Sequence, residues 1–180
     1  MQRRMTCEMP SNVMEPTIAK GSVVAVDTAY YYENEPQRWD VLVFTAPQVE
    51  QMQFDLGRQK IAPEPIAAVV NAAADLHARE SVLVRPHLFF VKRIVGLPGE
   101  RIRFTPEAIM CDDQPLHVPR DLARCYVRFK DCADYAFGGT NEYVVPFNSV
   151  FVLSDNLTAG KDSRRIGAVS LHNVIGRVIL

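Results

Sequence analysis

Three stretches of this chain set chemistry-bearing side chains among apolar neighbours. Pro10-Ser-Asn-Val-Met-Glu-Pro-Thr-Ile18 carries Ser11, Val13 and Met14, and Phe90-Val-Lys-Arg-Ile-Val-Gly-Leu-Pro-Gly-Glu100 carries Lys92. Leu153-Ser-Asp-Asn-Leu-Thr-Ala-Gly-Lys-Asp-Ser-Arg-Arg-Ile-Gly167 carries Asp155, Gly160, Asp162 and Arg164. Lys92 says most on its own. Leu88, Phe89, Phe90, Val91, Ile94 and Val95 flank it, so a strand there leaves little room for a solvated ammonium on the apolar face. Desolvation penalises the charged form of such a lysine and lowers its pKa. A neutral amine can then act as a general base near neutral pH. The competing reading is structural: the side chain snorkels to water or pairs with a carboxylate such as Glu100, as most lysines do.

Together the three stretches resemble the type I signal peptidases, Ser–Lys endopeptidases that cleave export signals from secreted proteins. That family's first box reads Pro-Ser-x-Ser-Met-x-Pro-Thr, with the second serine as nucleophile. Its lysine box reads Tyr/Phe-Val-Lys-Arg-x-x-Gly-Leu-Pro-Gly-Asp/Glu, and its last box Gly-Asp-Asn followed by Ser-x-Asp-Ser-Arg-x-x-Gly. Here Phe90 to Glu100 matches nearly throughout, as do Asp155-Asn156 and Asp162-Ser163-Arg164 with Gly167. Trp39-Asp-Val-Leu-Val-Phe44 and Ile175-Gly-Arg177 look like two further supporting segments. The resemblance runs from about Pro10 to the C-terminus, and four boxes in the family's order make it specific.

The resemblance implies that Lys92 is the general base and that position 13 should carry the nucleophile. Val13 stands there, and an isopropyl group cannot attack a carbonyl. Ser11 matches the serine that helps hold the oxyanion. On an extended chain it would share a face with position 13, but it lies roughly 6–7 Å away along the strand. A misplacement of about 1 Å can already cost about 100-fold. Ser154 stands for the family's glycine, and Gly160 replaces the serine that would orient the lysine. Asp162 and Arg164 are expected to pair and brace the last loop, and Met14 to pack beneath the site. The four histidines, His77, His87, His117 and His172, are scattered and support no Ser–His–Asp triad.

The elements that must position these residues read as short strands. Ser22 to Asp27, Val41 to Phe44, Ser81 to Arg85, His87 to Val95, Arg101 to Phe104, Tyr143 to Val145, Ser149 to Leu153 and Val174 to Leu180 are β-branched or apolar and bounded by turn residues. Ala108 to Cys111 and Leu116 to Val118 flank Asp112-Asp-Gln-Pro115 as a hairpin. Residues 48–80 change composition towards Ala, Gln, Met and Leu, and Pro65 opens an expected helix over Ile66 to His77. Residues 120–141 are polar and irregular. The expected architecture is one domain over 1–180: a mainly antiparallel β, signal-peptidase-like core with a helical insert at 48–80 and a smaller β lobe at 104–141.

Composition narrows the partners. With 20 Lys plus Arg against 21 Asp plus Glu, no basic field exists to recruit nucleic acid or anionic lipid. The apolar runs fall short of the roughly 18 residues of a bilayer span, and Met1-Gln-Arg-Arg-Met5 is not followed by a signal-peptide core. Membrane association therefore requires an anchor missing from this sequence or a partner. Compartment and oligomeric state stay open, although the resemblance implies the outer face of the plasma membrane. Cys7, Cys111, Cys125 and Cys132 show no metal-ligand spacing, so no metal site is expected. Cys125 and Cys132 are close enough to pair in an oxidising compartment, and free half-buried thiols are equally open. No cofactor is expected, since Ser–Lys chemistry needs only a base and an oxyanion hole.

Three functions follow. The chain is an active endopeptidase using Lys92 with Ser11 or another nucleophile; or a non-catalytic relative that keeps a cleft for an extended peptide or precursor protein; or a self-cleaving repressor peptidase. The last carries an upstream DNA-binding helix, and no basic helix precedes Pro10. The paired losses at 13 and 160 favour a chain that is inactive as written.

Overall fold

The structure, a computed structural model, describes residues 4–45, 89–126 and 142–180. The expected strand Ser81 to Arg85, the helix over Ile66 to His77 and the whole 48–80 insert lie outside those residues, as do 127–141 of the expected lobe.

Eleven strands form among the described residues: β1 (Arg4–Glu8), β2 (Val23–Asp27), β3 (Val41–Thr45), β4 (Phe89–Gly96), β5 (Arg101–Phe104), β6 (Ile109–Cys111), β7 (Gln114–Pro115), β8 (Glu142–Val144), β9 (Ser149–Leu153), β10 (Val169–Ser170) and β11 (Val174–Ile179). They make two antiparallel sheets, in the orders β1-β2-β11-β3-β4-β9-β10 and β7-β6-β5-β8. The protein is mainly antiparallel β, as its short apolar runs suggest. The second sheet spans Arg101–Val144 with its gap.

Position in the sheet follows from side-chain pattern. Val41–Phe44 and Ser149–Leu153 are apolar almost without interruption, and both strands are buried on both faces, β3 at the centre of the larger sheet and β9 one strand in from the β10 edge. Arg101–Phe104 alternates, with Ile102 and Phe104 buried and the two arginines turned outward, as in a sheet with one wet face. Val95, Ile102, Phe104, Ile109, Phe151 and Leu153 form the core that joins the two sheets. Leu42, Phe44, Ile94 and Val152 belong to a second core, and Met14, Val41, Val43 and Val91 to a third.

Two local features differ from expectation. The hairpin turns at Asp112 and Asp113 alone, so the pairing with β6 already begins at Gln114–Pro115 and continues to Leu116, whose N–H donates to Ile109 O at 2.7 Å. Both aspartates have positive φ, 48° and 64°, the geometry of a two-residue turn that matches strand twist. One-turn helices at Tyr30–Glu33, Ala123–Tyr126 and Ser163–Ile166 are too short to show helical periodicity in the sequence. The irregularity in β11 between Val174 and Gly176 presses the chain onto β2. A Cβ at Gly176 would lie 2.4 Å from the Asp27 carbonyl oxygen, so glycine is required there.

Candidate functional site

Lys92 sits in the middle of β4, paired with Leu42 of β3, and is only 2% exposed. Its Nζ donates to the Val91 carbonyl oxygen at 3.2 Å and lies 5.8 Å from the centroid of the Phe90 ring. The reading in which Lys92 snorkels to water is corrected. The side chain does not reach water, and Glu100 is taken by Arg38, whose Nη1 donates to Oε2 at 3.0 Å, and by the Leu97 amide at 2.7 Å.

The first box is a run of turns, so the expectation of an extended segment with Ser11 and Val13 on one face does not hold. Glu15 N–H donates to Asn12 O at 3.1 Å and Ile18 N–H to Met14 O at 2.9 Å. These turns bury Met14 completely in the core beside Val91 and leave Ser11 half-buried. Val13 packs against the same core. Its carbonyl accepts from the Asn156 amide at 3.0 Å, and Asn156 Nδ2 reaches Asn12 O at 3.3 Å. The first box is thus fastened to the last one by Asn156.

Gly160 closes the slot on the other side. It adopts φ 76°, and a Cβ built there would meet Val13 Cγ1 at 2.6 Å and Ser154 Oγ at 3.8 Å. The valine methyl occupies the room a side chain at 160 would need. Ser154 is fully buried, and its Oγ has no hydrogen-bond partner. On the β4–β9 ladder Arg93 faces Leu153 and Ile94 faces Val152, so one further step brings Lys92 opposite Ser154. Val13 and Ser154 thus both border Gly160, and the strand register places Lys92 across from Ser154.

A different set of polar groups braces this slot. Arg93 Nε and Nη2 donate to the two Asp155 oxygens at 2.8 and 2.7 Å, Arg93 Nη1 to Trp39 O at 2.8 Å, and Tyr126 Oη to Asp155 Oδ1 at 2.6 Å. Burial, then the Asp155 carboxylate, pushes the Tyr126 phenol well above its ordinary pKa. Asp162 and Arg164 form the expected pair, with bidentate contacts at 2.8 and 2.7 Å. Asp162 does more than pair. Its Oδ2 accepts from the Ser154 amide at 3.0 Å, and Ser163 Oγ accepts from the Val152 amide at 2.8 Å. Pairing of β9 with β10 covers only Ser149 and Val150, so these side chains finish the strand edge that β10 leaves open. The sequence offered Ser163 only as a motif letter, because an amide eleven residues away that needs an acceptor leaves no local trace.

Cys125 carries a free thiol, which burial pushes above its ordinary pKa, and Cys132 lies outside the described residues. His117 and His172 are exposed. Among the described residues no group of His, Cys, Asp and Glu is placed to hold a metal, and no helix is long and apolar enough to cross a membrane.

The family described as signal peptidase, peptidase S26 matches residues 4–180. Signal peptidase I of Leptolyngbya laminosa is 27% identical over 172 residues, covering 96% of this chain and 65% of the relative. Probable signal peptidase I-1 of a Synechocystis strain is 26% identical over 172 residues, covering 95% of this chain and 67% of the relative. The chain thus spans about two thirds of the length of these curated relatives. A solved signal peptidase I from Enterococcus faecalis superposes with a TM-score of 0.44 at 20% identity, covering 82% of this chain and 98% of the other. With the lysine strand, the turn-rich first box and the Asp–Ser–Arg brace each seated in one antiparallel β framework, and the family's pattern running from residue 4 to the last, the chain belongs to the signal peptidase, peptidase S26 family.

Proposed function

We propose that this chain is a signal-peptidase-type protein that holds an extended peptide without cutting it. The supporting observation is the packing of Val13. Its isopropyl group stands where the family resemblance expects the seryl nucleophile, and its Cγ1 fills the space against Gly160. A branched alkyl group has neither a lone pair to attack with nor a proton to surrender. Lys92 is the base left without its nucleophile, and Ser11 is not the substitute: the turns at Asn12 to Ile18 take it out of line with residue 13. The peptide is an extended segment of a precursor protein with small side chains, added as a strand along the cleft, in keeping with the signal peptidase I names of the relatives. No cofactor enters this scheme.

The test uses a fluorescent signal-peptide-like substrate. The native chain binds it in an anisotropy titration and releases no product, Val13→Ser cleaves it, and Lys92→Ala in the Val13→Ser background abolishes that cleavage. Turnover by the native chain that Lys92→Ala removes overturns the non-cutting half. Absence of binding by both native chain and Val13→Ser overturns the cleft.

A further inference from the structure

A fully buried hydroxyl with no partner is costly, because folding strips its water and returns nothing; the penalty is about 1–3 kcal/mol. Ser154 carries such a hydroxyl. Alanine or glycine at 154 would fill the same backbone position, since the amide of Ser154 donates to Asp162 Oδ2 at 3.0 Å without help from the side chain. The hydroxyl is therefore buried at a cost to stability, and unpaired buried groups of this kind gather at functional sites.

Its surroundings name its partner. Ser154 lies opposite Lys92 when the β4–β9 register is carried one residue past Arg93 and Leu153. Directly opposed residues of an antiparallel pair have Cβ atoms about 5 Å apart, within easy reach of a lysine side chain. The Lys92 amine in this structure lies against the Val91 carbonyl at 3.2 Å, a contact made by the backbone of its own neighbour. Position 160, where the resemblance expects a lysine-orienting hydroxyl, is closed: its φ of 76° and the Val13 methyl 2.6 Å from its Cβ position leave no room. Ser154 Oγ, 3.8 Å from that Cβ position, opens onto the same space from the opposite strand.

We propose that Ser154 is a positioning residue for Lys92: its hydroxyl is the alternative acceptor to which the amine moves from the Val91 carbonyl, turning the nitrogen lone pair towards residue 13. This rests on the reading of Lys92 as the family's base, and the hydroxyl function is displaced by one side chain from position 160 to 154. The step involves only exchange of one accepted hydrogen bond for another; no bond to carbon forms or breaks.

Two measurements test it. The first needs no catalysis. In protein labelled with 13C-lysine, the Lys92 signal (identified by its loss in Lys92→Arg) is followed through a pH titration. A hydroxyl that accepts from the amine favours the charged form, so Ser154→Ala lowers the Lys92 midpoint, by up to about one pH unit. The second uses Val13→Ser, where Ser154→Ala lowers kcat by up to about 100-fold, leaves KM unchanged and shifts the pH–rate profile with the midpoint. An unmoved Lys92 midpoint, or an unchanged kcat in an active Val13→Ser chain, overturns the role of Ser154. Failure of Val13→Ser to cleave at all overturns instead the reading of Lys92 as an intact base, while the titration still decides whether Ser154 meets the amine.

Discussion

Lys92 and Arg93 are neighbours on one strand, and Ser154 and Asp155 are neighbours just past another; all four are at most 3% exposed. Alternation sends them into two environments. Arg93 and Asp155 meet in a bidentate ion pair, with Tyr126 and the Trp39 carbonyl taking up further polar capacity. Lys92 and Ser154 face a slot lined by alkyl groups, where the amine rests on a backbone carbonyl and the hydroxyl has no partner. Equal dryness gives opposite energetics. On the braced side a buried polar group is stabilised by what surrounds it, so any loss exposes an uncompensated partner. Beside Gly160 the Ser154 hydroxyl is stripped of water and given no hydrogen bond in return.

The largest effect tests the braced side. Asp155→Ala leaves the Arg93 guanidinium buried without its carboxylate and costs about 3–5 kcal/mol, read as a lower urea midpoint with unchanged slope. A loss under about 1 kcal/mol would mean that water reaches Arg93 and that the two sides differ less than their burial indicates.

Next comes the packing between residues 13 and 160. Gly160→Ala combines a positive φ with the 2.6 Å approach to Val13 Cγ1 and costs about 1–3 kcal/mol. In the Val13→Ala background, which removes that methyl, part of the cost returns, and the two substitutions couple by about 0.5 kcal/mol or more. Strict additivity in a double-mutant cycle would separate the two positions.

Ser154→Ala has the opposite sign. Removing the Ser154 hydroxyl raises stability by at most about 1 kcal/mol, and by less the more the Lys92 amine donates to it, whereas the equivalent truncation at Ser163, whose Oγ accepts from the Val152 amide, lowers it by about 1 kcal/mol. Thermal melts of the two variants should move in opposite directions. A drop in both would show that Ser154 Oγ has found a partner.

The smallest effect is a pH dependence. Because burial and Asp155 hold the Tyr126 phenol well above its ordinary pKa, the folded chain keeps a proton that the unfolded chain loses. That contribution is complete below about pH 10 and declines as pH rises beyond it. Chemical denaturation in alkali should therefore show a steeper loss for the native chain than for Tyr126→Phe.

Much of this protein was legible in its residues. Unbroken apolar runs such as Val41–Phe44 and alternation such as Arg101–Phe104 are one-dimensional consequences of burial on two faces or one, so strand identity could be read directly. The lysine box was legible because a lysine amid apolar residues stands out, and the Asp–Ser–Arg box through its resemblance to the signal peptidase pattern. One-turn helices and the exact hairpin turn escaped because their determinants span only a few residues.

What the sequence determined by itself was composition of the slot: an amine, a valine, a glycine and a serine, each an unusual choice among strand residues or a departure from the pattern they resemble. Only the tertiary structure decided that these choices depend on one another. Strand register sets Ser154 across from Lys92, a turn lays Val13 over Gly160, and Asn156 ties the two boxes together. Distances between residues about 60 or about 140 positions apart arise from how sheets pair and close, and no local preference of the chain encodes them.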